Sequence, residues 1–140
     1  YFLTGIYSYI FYNRESDFYE LKFSNGAHPS PVVIRKNGEV EILYSQGSLI
    51  GLMESVEYKT QTHILNHGDR LFLFTDGLTE TMDHNSKQLI GAGDELKNIF
   101  INANDQDIGN ILDNILAQVD SIRGNTRYED DLLVIGIGFA

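Results

Sequence analysis

Two stretches of the sequence each place a carboxylate at the end of an apolar run. Asp76 lies just past the end of Leu71–Phe74, four apolar residues that predict a strand buried on both faces. Asp130 and Asp131 stand directly before a second apolar run, Leu132–Phe139. If the two strands are antiparallel neighbours, these carboxylates meet at one edge of a sheet. Carboxylate oxygens are the ligands that Mg²⁺ and Mn²⁺ prefer, so the pattern predicts a site for a hard divalent cation.

Each of these carboxylates also has a simpler interpretation. Asp76-Gly77 is a common hairpin dipeptide and could mark only a turn. Glu129, Asp130 and Asp131 form a short acidic run, which is typical of a solvated turn. The residues alone leave the cation site and the two turns as open alternatives.

The four histidines are the other candidates for ligands or proton carriers. His28 lies in a loop rich in turn-forming residues, where it contacts a ligand or phosphate or is hydrogen-bonded only for structure. His63 falls on the polar side of an alternating strand pattern, which predicts a solvated side chain. His67 lies in a turn, and His84 lies in a polar loop that follows the candidate site and is expected to be a solvated tip.

Composition excludes several classes of function. The chain has 140 residues, a formal net charge of −10 and no cysteine. Such a charge disfavours nucleic acid or an anionic membrane as a partner, and the lack of thiols excludes cysteine catalysis, thiolate zinc sites and disulfides. No apolar run approaches the roughly 20 residues of a membrane helix. The first residue is Tyr1 rather than methionine, so we expect the chain to be part of a longer protein.

Hydrophobic periodicity predicts a strand-rich chain that becomes helical in its last third. Apolar residues recur at helical spacing over 94–101 and over 108–122, where Asp105 or Asp107 caps the longer helix and Gly124 ends it. The first two strands form a hairpin, and Asn37-Gly38 predicts a type I′ turn between the next two. Strands are predicted over 1–12, 17–23, 32–35, 40–43, 56–65, 71–74 and 132–139.

The same patterns predict which side chains form the core. Phe72, Phe74 and Leu133 are expected to be buried within a sheet sandwich. The long helix is expected to face that sandwich through Ile111, Ile115 and Val119.

Several motifs, taken together and in order, resemble the metal-dependent protein phosphatases of the PP2C type, in particular the bacterial branch typified by SpoIIE and RsbU. The resemblance covers most of the chain. The most specific pair is the Thr-Asp-Gly-x-x-Glu segment and the Asp-Asp pair that leads the last strand. The motifs are Asn25-Gly26-Ala27-His28-Pro29, Leu49-Ile50-Gly51-Leu52, Gly68-Asp69, Thr75-Asp76-Gly77-Leu78-Thr79-Glu80 and Asp130-Asp131.

The resemblance implies a fold of the α+β class, an α/β/β/α sandwich of two antiparallel sheets with helices outside both. It implies that Asp76 and Asp130 are metal-binding and catalytic, with two Mn²⁺ or Mg²⁺ ions in the complete domain. In this family the ions activate a water that attacks the phosphorus of phosphoserine or phosphothreonine. The residues expected to line such a site are Asn25, His28, Gly77 and Asp131.

The chain departs from the family pattern at two places. The family's loop usually reads Asn-Ala-Gly-His, whereas this chain has Gly26-Ala27 in the middle. The family's first motif, Asp-x-x-Gly-x-Gly, is absent and is expected upstream of Tyr1. We therefore expect residues 1–140 to form a single partial phosphatase domain that lacks its N-terminal part and half of its metal site.

Two classes of function remain open on this basis. The first is a serine/threonine phosphatase that is active when whole, acting on a phosphorylated regulatory protein such as an anti-sigma-factor antagonist and following a sensor domain. The second is a catalytically inactive phosphatase-like module for interaction or signalling. We also expect the catalytic domain to be cytoplasmic, in a protein that could itself be membrane-anchored. A second copy of the chain is expected to pair with it through surface that the missing N-terminal part leaves uncovered.

Overall fold

A computed structural model describes all residues from Tyr1 to Ala140. Its seven strands and three helices form three layers, and none of the helices is long and apolar enough to cross a membrane. The elements in chain order are β1 (Gly5–Asn13), β2 (Phe18–Gly26), β3 (Val32–Ile34), β4 (Val40–Ile42), β5 (Thr60–Leu65), β6 (Arg70–Phe74), α1 (Asp76–Thr79), α2 (Glu95–Ala103), α3 (Ile108–Arg123) and β7 (Val134–Gly138).

The strands form two sheets in which every neighbouring pair is antiparallel. The three-stranded sheet has the order β1-β2-β5, and the four-stranded sheet has the order β4-β3-β6-β7. A core between the sheets includes Phe23, Leu65 and Leu71, all of them buried. The predicted sandwich of two antiparallel sheets is therefore confirmed.

A second and larger core fills the space between the four-stranded sheet and the helices. Leu78 of α1, Ile99 of α2 and Ile115 of α3 are buried there against Phe72 and Phe74. All three helices thus cover one side of the sandwich. The outer face of the three-stranded sheet has no helical cover, and Tyr7 on that face is 81% exposed.

The predicted core is correct with one exception. Phe72, Phe74 and the three residues of α3 are buried, but Leu133 is 54% exposed. Leu133 shares a face with Ile137, which packs against the core between the sheets. The three-stranded sheet covers Ile137 but leaves Leu133 and Ile135 about half exposed on an edge strand.

The prediction for His63 was wrong about its face. Its backbone pairs with buried Leu21, so the side chain points between the sheets, stacks on Phe23 and hydrogen-bonds Gln61. The exposed face of β5 instead carries Ile64, which is 49% exposed. The alternating pattern was real, but the more polar set of side chains points inward.

Two turns also differ from their predictions. The β3–β4 hairpin is present, but its turn runs from Arg35 to Gly38 and only Gly38 has a positive φ, of 90°. This is a three-residue loop closed by a left-handed glycine, not a type I′ turn. In the Asn25–His28 loop, Ala27 takes a left-handed φ of 53°, which a side-chain-bearing residue adopts at an energetic cost.

Candidate metal centre

The central strand β6 delivers Asp76 to the start of a helix. Thr75 is extended and caps α1, and Asp76 is the first residue of that short helix. The simple hairpin turn considered for Asp76-Gly77 is therefore not formed. The Asp76 side chain is half-buried, and no protein group donates a hydrogen bond to its carboxylate. Its oxygens are consequently free to contact a ligand.

Thr75 joins this strand end to the start of β7. Its hydroxyl donates to the carbonyl oxygen of Asp131 at 2.8 Å and accepts from the backbone N–H of Leu133 at 3.0 Å. Its own N–H donates to the Leu133 carbonyl at 3.0 Å. Below this clamp the ladder pairs Phe74 with Val134, so β6 and β7 are antiparallel neighbours, which is the condition that the predicted cation site requires. The two carboxylate-bearing segments thus meet at one end of the sheet.

Gly77 allows the backbones of these segments to approach closely. A Cβ atom at position 77 would lie 2.5 Å from the carbonyl oxygen of Asp131 and 2.8 Å from its carbonyl carbon. Real side chains do not tolerate such a contact with backbone, so only glycine fits here. The glycine after Asp76 is needed to bring α1 against Asp131.

The segment that carries Asp130 is exposed and follows a cluster of three interacting side chains, Asp120, Arg123 and Tyr128. Arg123 stacks on the Tyr128 ring with its guanidinium carbon 4.2 Å from the ring centre. Arg123 Nη2 donates to Asp120 Oδ1 at 2.6 Å, and the Tyr128 hydroxyl donates to the same oxygen at 2.8 Å. The hydrogen bond from Arg123 is the main cause that lowers the pKa of Asp120, and the hydrogen bond from the Tyr128 hydroxyl adds to it. Burial is the main cause that raises the pKa of Tyr128, and the hydrogen bond to Asp120 adds to it.

The other two residues expected at the site have their hydrogen bonds elsewhere. Asn25 is buried and closes its own loop, donating to the His28 carbonyl at 2.8 Å and accepting from the His28 N–H at 2.7 Å. It also donates to Ser45 Oγ at 2.7 Å. His28 Nδ1 lies 3.1 Å from the hydroxyl of Thr4. None of these hydrogen bonds connects the loop to Asp76 or Asp130.

Sequence reasoning missed Thr75 and the cluster of Asp120, Arg123 and Tyr128 as parts of this centre. The Thr75 side chain makes no capping hydrogen bond on α1, and its hydrogen bonds to Asp131 and Leu133 had no signal in the sequence. Asp120 and Arg123 are spaced three residues apart on α3, which predicts an ion pair on one helix face. The stacking on Tyr128 depends on the path of the loop after Gly124 and had no signal in the sequence.

Solved structures with the same architecture define the class of fold. The SiaA-PP2C domain of Pseudomonas aeruginosa superposes with a TM-score of 0.73 at 17% identity, over 86% of this chain and 47% of that one. The Mn-presoaked phosphatase domain of SpoIIE from Bacillus subtilis gives 0.69 at 18% identity, over 96% and 56%. The RsbU and RsbW domains of a Mycobacterium tuberculosis protein give 0.59 at 19% identity, over 84% and 31%. The fold is that of PP2C-type phosphatase domains.

The family follows from the sequence itself. Residues 2–140 match the family described as Stage II sporulation protein E, SpoIIE, and the chain belongs to that family. Among curated protein sequences, none is significantly similar to the chain. The chain spans about half the length of the first two solved structures it matches, 47% of one and 56% of the other.

The residues present fit part of a divalent-cation site. Asp76 lies at the clamped end of β6 and β7 with a carboxylate that no protein donor occupies, and Asp130 belongs to the facing segment. One Asp130 oxygen accepts from the N–H of Asp131 at 2.7 Å, which leaves the other oxygen free. No group of three or more His, Asp or Glu side chains is arranged to hold a metal ion. Asp76 and Asp130 thus offer carboxylate oxygens of the kind that hard divalent cations prefer, without an assembled metal site.

Proposed function

We propose that residues 1–140 form a single partial domain of a metal-dependent serine/threonine protein phosphatase. Membership in the SpoIIE family and the PP2C-type fold support this proposal. The observation that carries it is the Thr75 clamp, which holds the Asp76 strand end against the Asp130-Asp131 segment while leaving the Asp76 carboxylate without a protein partner. By contrast, the carboxylate of Asp69, which adjoins the other end of the same strand, is occupied by donors from Arg35, Lys36 and Asn66.

In this proposal, Asp76 and Asp130 hold Mn²⁺ or Mg²⁺. A bound divalent cation supplies a water of lowered pKa and neutralises phosphate charge. The chain's own residues contribute position. Thr75 orients Asp76 through its bonds to Asp131 and Leu133, and Gly77 lets the α1 backbone lie against Asp131. Two carboxylates brought together repel each other, which disfavours the arrangement unless a cation lies between them.

The proposed substrate is a phosphoserine or phosphothreonine on a regulatory protein. The likeness to a structure that contains RsbU and RsbW domains supports a signalling role, and an anti-sigma-factor antagonist is the specific partner we propose. Asn25 and His28 belong to the proposal only through the family resemblance, since their observed hydrogen bonds close their own loop and reach Thr4.

Hydrolysis of a phosphoserine peptide by the intact protein tests the proposal. We expect activity that depends on added Mn²⁺ and that Asp76→Asn or Asp130→Asn lowers by at least about 100-fold, because metal-held chemistry contributes several kcal/mol. Asp113→Asn, at an exposed position on α3, is the matched control and should retain activity. Full activity in Asp76→Asn would overturn the metal role. An intact protein that binds a partner but never hydrolyses phosphopeptides would instead support the interaction module.

A further inference from the structure

A small basic pocket lies beside the candidate metal centre. Its volume is about 70 Å³, and eight of its nine lining residues are polar or charged. Four of them are basic: His84, Lys87, Arg123 and Arg127. This concentration is unusual in a chain with a net charge of −10 and only ten lysines and arginines, three of which line this one pocket.

Two of the positive charges in the pocket have no partner in the chain. Neither Lys87 nor Arg127 forms an ion pair, in contrast to Arg123, which pairs with Asp120. The lining carboxylate of Asp83 is already occupied, since it accepts from the N–H of Asn85 and the hydroxyl of Ser86 at 2.7 and 2.8 Å. Glu129 is the remaining carboxylate, and it is exposed. The pocket therefore has charge available for an added anion.

The loop that carries Lys87 is held in a strained conformation. Lys87 has a left-handed φ of 60°, which non-glycine residues rarely adopt. Its N–H donates to the Asp83 carbonyl at 2.9 Å, and Asp83 in turn donates to the Gln88 carbonyl at 2.8 Å. Strain of this kind persists where the surrounding structure fixes it, and it occurs often at binding sites. The lysine is thus kept in the wall of the pocket.

The pocket is joined to the metal centre through both of its walls. Thr81 lines one wall and donates from its hydroxyl to the Gly77 carbonyl at 2.6 Å. Glu129 lines the other wall and directly precedes Asp130. An anion in the pocket would therefore lie next to the segments that carry Asp76 and Asp130.

The size of the pocket limits what can enter. With a volume of about 70 Å³ and a lining that is almost entirely polar, the pocket has room for a group of carboxylate or phosphate size. A single acidic side chain on an extended peptide suits the space and the charge.

We propose that this pocket binds an acidic side chain of the substrate protein, located in the chain close to the phosphorylated residue. The proposal rests on the proposed function for the reaction itself, but it concerns substrate selection and not the metal chemistry. Lys87 and Arg127 supply the free charge. Arg123 supplies a guanidinium that Asp120 and Tyr128 hold in place.

The first test compares two phosphopeptides that differ only beside the phosphoserine, one with glutamates and one with glutamines. With the intact protein we expect kcat/KM to be higher for the glutamate peptide. Lys87→Gln and Arg127→Gln should each lower this preference by roughly three- to tenfold, the range for charge-assisted contacts at a partly open site. Lys97→Gln, on the exposed face of α2, removes the same charge away from the pocket and should leave the preference unchanged. Equal kcat/KM for the two peptides would overturn the proposal.

The second test does not depend on hydrolysis. Unphosphorylated versions of the two peptides are titrated into residues 1–140 while the backbone amide signals are followed by NMR. The glutamate peptide should shift the amides of Lys87, Thr126 and Arg127, and Arg127→Gln should weaken the effect. Shifts that are absent, or equal with the glutamine peptide, would overturn the pocket. Failure of the intact protein to hydrolyse either phosphopeptide would overturn the proposed function and leave this binding measurement valid.

Discussion

The central strand β6 has an aspartate at each end, and the two carboxylates have opposite environments. Asp69, just before the strand's first residue, is 2% exposed. Its side chain accepts from the N–H groups of Lys36 and Asn66 at 3.0 and 2.9 Å and from Arg35 Nη1 at 2.9 Å. Asp76, at the other end, is half-buried and accepts no hydrogen bond from the protein.

This difference separates a structural carboxylate from one available to a ligand. All of the donors around Asp69 belong to the protein, and they tie the turn before β6 to the β3–β4 hairpin. Around Asp76, the neighbouring Thr75 directs its hydrogen bonds to the backbone of Asp131 and Leu133, so the segments are joined while the carboxylate stays free. Both aspartates adjoin a glycine in the sequence, so the local motif does not distinguish them.

The largest expected effect on stability is at the end of β6 that adjoins Asp69, which we call the closed end because protein donors occupy the Asp69 carboxylate. Asp69→Ala should lower the free energy of unfolding by about 3–5 kcal/mol, because it leaves Arg35 and two backbone N–H groups without their acceptor. Chemical denaturation measures the change. Asp113→Ala, at an exposed position with no side-chain hydrogen bond, is the control and should shift stability by no more than about 0.5 kcal/mol. Equal effects in the two variants would contradict the structural role of Asp69.

The next largest effect on stability is expected at the opposite end of β6, where Gly77 follows Asp76. Gly77→Ala should destabilise the chain by about 1–3 kcal/mol, because the new methyl group would overlap the Asp131 backbone and force the segments apart. Gly138→Ala is the control, since its added Cβ would make only an ordinary contact of 3.9 Å with Ile108. Denaturation midpoints for the pair give the comparison. A Gly77→Ala variant as stable as the wild type would show that α1 and Asp131 can separate freely.

Sequence patterns were sufficient for strands β6 and β7 and for helices α2 and α3, but not for the short helix α1 that begins at Asp76. The apolar runs Leu71–Phe74 and Leu132–Phe139 predict β6 and β7, and the helical spacing in the last third predicts α2 and α3. Helix α3 ends at Gly124 as expected. The antiparallel pairing of β6 with β7 was the condition on which the predicted cation site depended, and the ladder shows that it holds. The elements themselves depend on local periodicity, which a single sequence records.

What the sequence could not predict depends on how far one layer covers another. Leu133 is as apolar as its buried neighbours, but it lies beyond the edge of the three-stranded sheet and stays exposed. His63 was assigned to solvent because its strand face is polar, whereas the opposing sheet covers that face. The environment of Asp69 likewise arises from donors distant in sequence, such as Arg35 and the N–H of Lys36. No such donor reaches Asp76, because the neighbouring Thr75 hydroxyl donates to the Asp131 carbonyl.

Metal binding by residues 1–140 tests whether Asp76 is available to a ligand while Asp69 is purely structural. Calorimetric titration of residues 1–140 with Mn²⁺ should show weak binding of one ion, because the protein supplies few of the about six oxygen ligands that a hard cation needs. Asp76→Asn should abolish this binding and change the free energy of unfolding by less than about 0.5 kcal/mol, since its carboxylate has no protein partner.

Asp113→Asn is the control for that titration and should bind Mn²⁺ like the wild type. Tight binding of two ions would show that the chain already contains a complete site. A large loss of stability in Asp76→Asn would make Asp76 a structural residue like Asp69.

The smallest expected effect is a pH dependence at the closed end of β6, in the turn that contains His67. Its Nε2 lies 2.8 Å from Asp17 Oδ1 and its Nδ1 lies 2.7 Å from the Ala140 carbonyl, so a doubly protonated ring can donate to both. The hydrogen bond to Asp17, and then the one to Ala140, raise the pKa of His67. Tyr12, and then His67, lower the pKa of Asp17.

A raised histidine pKa contributes stability that is fully present below the unfolded value of about 6.5 and is lost as the pH rises through the folded value. A lowered aspartate pKa contributes stability above about 3.9 that is lost as the pH falls through the folded value. The hydrogen bond between His67 and Asp17 therefore stabilises the fold most at pH values between these two pKa ranges.

Denaturation midpoints measured from about pH 6 to pH 8 should fall with pH in the wild type. His67→Gln should flatten that slope, while His84→Gln, an exposed histidine at the other end of the sheet, should retain it. Because all of these groups are open to solvent, the change should be small beside that of Asp69→Ala. The same slope in His67→Gln as in the wild type would show that the closed end is held by Asp69 and its three donors without a contribution from His67.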